Sequence, residues 1–380
     1  MAATVPKTLT EPHVVIQNDW IHIFRCKEGG KFFLNTNEPG QKIKAQDLEV
    51  KEGRLAEDSG FQAEFLRNTL KLTHPNGQTR SFVAPTVEFG GIHKYAINTA
   101  DISPTQNLAV SADYSGIIVV WDTVIGCAVR NLEGHVMDVN KTRFFPSGMV
   151  VLSCGLDMTV RVWDVSIGWN ARTLNGHRAP VNDIGIIEEG SYVASCSKDG
   201  TLKIWNVGLG AVSREHVHDS PLKALSISPF NPQVVAVSSE AGKVYLYDNR
   251  SPENAIFESA TGGSSANAVA IHSENEVFAA TADGSIWEFD LRNVNNQIQV
   301  ATQRGTANAM VSRAGLGVAT GFSDGSIVAY GDLFSTDTAT PLCDLTGADC
   351  ESINDLALSE ATLVSACRDK HVRKYRLDLI

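Results

Sequence analysis

His177, Ser197 and Asp199 supply the three side chains of a hydrolytic triad, and the Trp205 indole follows six residues on. A serine activated by a histidine that an aspartate orients is one chemistry such a set can do. The preceding stretch argues against it. His135, Asp157 and Trp163 stand 42 residues before His177, Asp199 and Trp205, and His93 and Trp121 stand one further step back. A nucleophile is needed once, whereas a polar set that recurs at a fixed period holds up a repeating structure. On that reading the aspartate accepts from the imidazole, the imidazole meets the Ser197 hydroxyl, and the serine meets the indole N–H in a buried chain of hydrogen bonds. The second stretch has Gly155 at the serine position, and the first has Asp113 and Ser115 in apparent exchange. Cys154 and Cys196 are also 42 apart, so they read as small core residues and not as metal ligands. There is no C-x-x-C pair, Walker loop, dinucleotide fingerprint or H-E-x-x-H. Neither catalysis nor a metal or cofactor is expected.

The elements that must position these groups follow from the same period. Trp121, Trp163 and Trp205 end short β-branched runs, and the spacing continues to Tyr247, Phe289, Tyr330 and Tyr375. Asp-Gly turns precede several of them, at Asp199-Gly200, Asp283-Gly284 and Asp324-Gly325, and suit two-residue hairpins. His93, His135 and His177 each lie 28 residues before their Trp, the last two within Gly-His pairs. Strand-length segments between these marks make a WD-repeat, four-stranded propeller blade. The chain is expected to be all-β: a seven-bladed WD-repeat β-propeller over 79–380, with a small β-rich accessory domain over 1–78. The last unit leaves no room for its outer strand, so Arg80 to Phe89, within 79–90, is expected to close it. Val14 to Gln17, Trp20 to Cys26 and Lys31 to Leu34 read as strands, and Asn76-Gly77 as a hairpin turn. Units with Ala241 for the Asp or Thr261 for the His are expected to rely on apolar packing.

The chain carries a net charge of −11. Residues 1–90 hold 11 Lys/Arg and 11 Asp/Glu, so the imbalance belongs to 91–380. An acidic body disfavours nucleic acid as a partner. No apolar run is long enough to span a bilayer, and no signal-peptide pattern opens the chain, which points to cytoplasm and nucleus with reduced cysteines. The repeat register puts Asp138, Asp219, Glu240, Asp349 and Glu351 in loops at one rim, the expected partner-binding residues, with Arg178, Lys198, Arg368 and Lys370 intruding.

Two stretches carry a more specific resemblance. LEGHVMDVNKTRFFPSGMVVLSCGLD, from Leu132 to Asp157, and LTGADCESINDLALSEATLVSACRDKHVRKYRL, from Leu345 to Leu377, resemble the proteasomal ATPase-associated factor family. In the second, Gly347-Ala348 stands where most WD repeats have Gly-His. The resemblance covers about residues 80 to 380; Ser220 to Thr340 match as generic WD units, and the first 78 share only a short β-rich leader. It implies a non-catalytic assembly chaperone, monomeric outside its complex, that binds the C-terminal domain of an ATPase subunit in the proteasome regulatory particle base. It would hold back docking onto the core particle, and an acidic propeller fits a basic partner region. A second resemblance competes. Asp248-Asn249-Arg250 and Asp290-Leu291-Arg292 are D-x-R boxes like those of substrate receptors for cullin-RING ubiquitin ligases.

Overall fold

A computed structural model describes residues 7–377 apart from 11–12, 18, 27, 38–43, 57–59, 76, 252–254, 294, 314–316, 332, 334–340 and 349. Alternating apolar segments become antiparallel strands, and tight turns join them. Asp199-Gly200 is one such turn: Gly200 has φ of +77°, and a Cβ there would fall 2.6 Å from the His218 carbonyl oxygen. Burial then grades across each sheet. In the second unit, strand Val150–Gly155 is almost wholly buried, whereas the outer strand Trp169–Asn175 is mostly exposed.

Among the described residues, seven four-stranded antiparallel units result. Their inner strands are Ile97–Ile102, Val139–Phe144, Val181–Ile187, Leu222–Ile227, Ala266–Ile271, Ala307–Arg313 and Ile353–Ser359, here units 1 to 7 in order. Each inner strand packs against the next, and that of unit 7 packs against that of unit 1, so the sheets form a closed ring, a β-propeller. The second residue of an inner strand does the stitching. Asn98, Asn140 and Asn182 donate their side-chain N–H to the Val139, Val181 and Leu222 carbonyls of the following unit at 3.0, 2.7 and 2.5 Å. Asn267 and Asn308 do the same to Ala307 and Ile353, both at 3.1 Å, and Asn354 closes the circle onto Ile97 at 2.8 Å. Unit 4 has Lys223 at that position.

The N-terminal residues are woven into the ring. Strand Lys7–Thr10 pairs in parallel with Gln297–Ala301, the outer strand of unit 5. Gln62–Leu66, Thr69–Thr73 and Thr79–Val83 extend unit 6, the last running parallel to Cys343–Leu345. Val87–Phe89 is the outer strand of unit 7, antiparallel to Val372–Arg376. The closing strand is therefore shorter than the expected Arg80 to Phe89, which the structure divides between two units. Ala84 and Pro85 make the break: the Ala84 N–H donates to the Asn68 carbonyl, and proline has no N–H to give a ladder. At the junction Arg80 and Arg304 both bond Asp344, a buried three-member ion cluster.

A separate sheet of His13–Ile16, Gly30–Asn37, Lys44–Lys51 and Arg54–Leu55 sits on this strap. Its core joins Trp20, Phe24, Phe32, Phe61 and Phe82. The expected strand at Trp20 to Cys26 is instead a helix, Trp20–Arg25, whose buried residues Trp20 and Phe24 are four apart and so share one face. Asn76 of the hairpin signal lies outside the described residues, though the flanking strands pair as a hairpin. The Trp20 indole donates to the Thr346 hydroxyl at 2.8 Å, and the Tyr375 hydroxyl donates to the Thr346 carbonyl at 2.8 Å. One loop after unit 6 thus takes both the accessory helix and the last unit.

The interrupted asparagine ring gives a test. Asn140→Ala should cost about 1 kcal/mol, and Lys223→Asn should gain about as much by restoring the missing donor. Urea unfolding midpoints of the two variants should move in opposite directions; a loss for Lys223→Asn would show that the lysine has a structural task of its own.

Candidate partner-binding rim

The recurring polar set holds the loops of one rim. In unit 3 the His177 Nδ1 lies 3.0 Å from Asp199, its Nε2 lies 2.7 Å from the Ser195 hydroxyl, and the Trp205 indole donates to Ser195 at 2.8 Å. The serine is Ser195 and not Ser197. Ser197 instead donates to the Ala179 and Pro180 carbonyls. Both serines lie on Tyr192–Ser197, two residues apart and so on the same face of the strand, which is why pattern alone confused them. The same correction repairs the other units. Unit 2 uses Ser153, 2.7 Å from His135 Nε2 and 2.7 Å from the Trp163 indole, so Gly155 is no gap in the chain. Unit 1 uses Ser111, with His93 at 2.7 Å and Trp121 at 3.0 Å, while Asp113 accepts from His93 at 3.2 Å. Asp113 and Ser115 have not exchanged roles; Asp113 keeps the aspartate's task from two residues earlier on the strand.

One neutral tautomer satisfies each network: Nδ1–H donates to Asp, the Ser O–H donates to Nε2, and the indole donates to the serine. Burial holds His93 and His177 below the ordinary imidazole value, against the pull of their aspartates. Burial alone would raise the Asp157 and Asp199 carboxyls, yet bonds from His135 and Thr159 in one, and from Thr201, Arg178 and His177 in the other, hold each at about 2. The serine oxygen is taken up on both sides and buried, so the set offers no attacking group. Later units use other means. In unit 4 His216 stacks on Tyr247 with ring centroids 4.1 Å apart, and in unit 5 Trp287 stacks on Phe289. Thr261 bonds the Gly242 carbonyl at 2.9 Å.

The rim acids are spread around the ring. Asp138 precedes the inner strand of unit 2, Asp219 and Glu240 lie on unit 4, and Glu351 precedes the inner strand of unit 7, 3.9 Å from Arg368. Asp349 lies outside the described residues. The structure brings Asp219 and Glu240 near each other, since the Glu240 N–H donates to the Pro221 carbonyl. The two D-x-R arginines fold back instead: Arg250 bonds Asp248 at 2.6 Å and Arg292 bonds Asp290 at 2.9 Å. Cys154 and Cys196 are buried, their thiols pushed well up by burial, and no cluster of metal-ligand side chains occurs among the described residues.

The WD domain, G-beta repeat model matches residues 89–122, 126–164 and 168–206. Each match runs from an outer strand through the first three strands of the next unit, so the sequence repeat is offset from the sheet by one strand. Over nearly its full length the chain is also similar to one vertebrate protein. Proteasomal ATPase-associated factor 1 of Gallus gallus is 38% identical over 395 residues, covering 95% of this chain and 98% of that protein. The chain belongs to this family. The Homo sapiens protein of the same name is 34% identical over 143 residues, 35% of this chain and 36% of that protein.

In this family member the ring encloses a channel of about 640 Å³ lined by all seven inner strands. Asp355 of unit 7 is buried and ties the end of the ring to its start. It accepts from Thr99 of unit 1 at 2.6 Å, from Lys141 of unit 2 at 2.7 Å, and from Arg143 of unit 2 at 3.1 Å. Burial would raise its carboxyl, but Arg143 and Lys141 hold it at about 2. Asp101, which accepts the Phe144 N–H at 2.6 Å, is pushed up to about 6 by burial despite Arg143 and that N–H. Sequence reasoning missed these ring-closing groups.

Two tests follow from the geometry. Ser195→Ala should cost about 1–3 kcal/mol by leaving a buried imidazole and indole without a partner, and Ser197→Ala distinctly less; thermal melts rank the two. For Asp101, the folded chain keeps a proton that the unfolded chain gives up, so its contribution is full below the ordinary value and is lost as pH rises through about 6. Asp101→Asn should therefore stabilise by about 1–3 kcal/mol at about pH 7.5, with the gain vanishing near about pH 4. Equal shifts at the two pH values would refute it.

Proposed function

We propose that this chain is a non-catalytic scaffold that binds an ATPase subunit of the proteasome regulatory particle, through that subunit's C-terminal domain, during assembly. In that role it restrains association with the core particle and leaves the finished complex, in the cytoplasm and nucleus. The observation that carries this reading is similarity over 95% of the chain to a protein named Proteasomal ATPase-associated factor 1. The structure is compatible with it: polar groups that could have served catalysis are consumed in holding turns, and the rim is built of loops on a rigid ring. The ligase-receptor reading rests on Arg250 and Arg292, whose guanidinium groups are each engaged by their own aspartate.

Affinity purification from cells, read by mass spectrometry, separates the readings. Enrichment of proteasomal ATPase subunits is expected; enrichment of a cullin adaptor without them would replace this proposal with the alternative. Asp138 and Glu351 flank unit 1 on either side, and they are proposed to border the site, together with Asp349. Reversing Asp138 and Glu351 to Lys should slow association and flatten its salt dependence, while the melting temperature holds within about 2 °C, because charges at a half-buried and an exposed rim position contribute little to folding. Unchanged association rates at low salt would move the border elsewhere on the rim.

A further inference from the structure

The chemistry of this rim changes from unit to unit. Unit 3 presents Arg178 and Lys198, and unit 4 presents Asp219 and Glu240, all exposed. Units 1 and 2 present Tyr95, Tyr114, Ile117, Val136, Met137 and Met158, which are 42 to 81% exposed. These side chains come from loops that touch in series. The Tyr114 N–H donates to the Ala96 carbonyl at 3.1 Å, joining the first loop to the first turn. A Cβ on Gly116 would lie 2.6 Å from the Met137 carbonyl oxygen, so that turn abuts the next loop. The Leu156 N–H donates to the Asp138 carbonyl at 2.9 Å, which brings in the turn bearing Met158.

The backbone under this patch is fixed. His93 and Asp113 clamp the first loop and turn together, and His135 and Asp157 clamp the second pair. Tyrosine on a rigid base costs little conformational entropy on binding, methionine adapts its shape to an apolar partner, and both are enriched at protein interfaces. A contiguous exposed apolar patch on one side of a ring marks an interaction site. The turns also offer no open strand edge: the Ser115 and Thr159 N–H groups are held by Asp113 and Asp157, so strand addition has little to pair with. Side-chain contact with a folded surface, and not main-chain pairing, is the mode that this patch favours. Its border is set by the charges around the patch: Glu133 and Asp138 on unit 2, Glu351 with Arg368 and Lys370 on unit 7, and Lys94, whose ammonium lies 5.6 Å over the Tyr95 ring.

We propose that this Tyr–Met patch on units 1 and 2 anchors the partner, and that its occupant is a folded domain of a proteasomal ATPase subunit with an apolar centre and a border of both signs, basic where it meets Glu133 and Asp138 of unit 2. This rests on the function proposed above and adds where on the ring the binding energy lies. Asp138 and Glu351 then steer the encounter, and the apolar side chains hold the complex once formed.

The test uses the full-length chain and purified proteasomal ATPase subunits, assayed one at a time by biolayer interferometry. Tyr114→Ser with Met137→Ser should weaken binding at least about tenfold, mostly through faster dissociation. Val136→Ser, at a side chain too exposed to affect folding, should weaken it in the same direction. Ile125→Ser with Ile167→Ser alters apolar residues 74 and 67% exposed in turns at the opposite rim and should bind as the parent does. If the parent binds no ATPase subunit, the proposed function falls and takes the patch with it. If the parent binds and both the Tyr114/Met137 and Val136 variants bind within about twofold of it, the function stands and the anchor is overturned. Loss of binding in the Ile125/Ile167 variant alone would place the interface on the opposite rim.

Discussion

A ring of sheets holds together only if its last member grips its first, and here three kinds of contact make that grip. The N-terminal strand Val87–Phe89 completes the sheet of unit 7. Asn354 of unit 7 donates to the Ile97 carbonyl of unit 1. Asp355, the next residue, is shared by Thr99, Lys141 and Arg143 of units 1 and 2. A buried carboxylate between two cations is costly to desolvate and contributes modestly to stability by itself. Its value is geometric, because only one arrangement of seven inner strands brings all these groups into reach. With the ring closed, each inner strand has a neighbour on both sides, and the edges of the sheets are confined to the outside.

The outside is treated unequally. Units 5 and 6 receive added parallel strands from the N-terminal strap, and unit 7 receives its own fourth strand from it. Units 5 to 7 also lack the His–Ser–Trp chain, so packing and strap take over what hydrogen bonds do in units 1 to 3. The cluster of Arg80, Arg304 and Asp344 sits where the strap meets unit 6, and the Thr346 loop beside it holds both Trp20 and Tyr375. The described residues of 1–78, the accessory piece that the repeat register leaves over, are therefore joined to the propeller by shared sheets as well as by side-chain packing.

Much of the fold was legible because the period of 42 fixes equivalent positions without any knowledge of contacts. The aromatic series located the third strands, and the Asp-Gly turns located the hairpins before them. What failed was the choice between positions two apart on one strand. Ser111, Ser153 and Ser195 recur at 42 just as Asp113, Gly155 and Ser197 do, and only the first series keeps one residue type throughout. Asn98, Asn140 and Asn182 recur in the same way and went unread, since an asparagine at a strand start looks like ordinary turn chemistry. The helix Trp20–Arg25 was hidden by its isoleucines, which favour strand locally, while the burial of Trp20 and Phe24 on one side decides for helix. Asp138, Asp219, Glu240 and Glu351 lie in loops and turns, but their grouping depends on unit order in space, which the repeat alone does not rank.

The offset between sequence repeat and sheet connects these observations to binding. Each WD match begins on the outer strand of one unit and ends on the third strand of the next, so the loop bearing Tyr95, or Val136 and Met137, lies inside a repeat while bridging two sheets. A loop of that kind would flex as neighbouring sheets shift. The histidine near the start of the loop prevents this by reaching across to the aspartate of the following turn and to a serine inside the sheet. Holding the ring rigid and presenting a fixed rim are thus consequences of one hydrogen-bond chain. That chain is complete in units 1 to 3, which carry the WD matches, and two of those units carry the exposed apolar side chains.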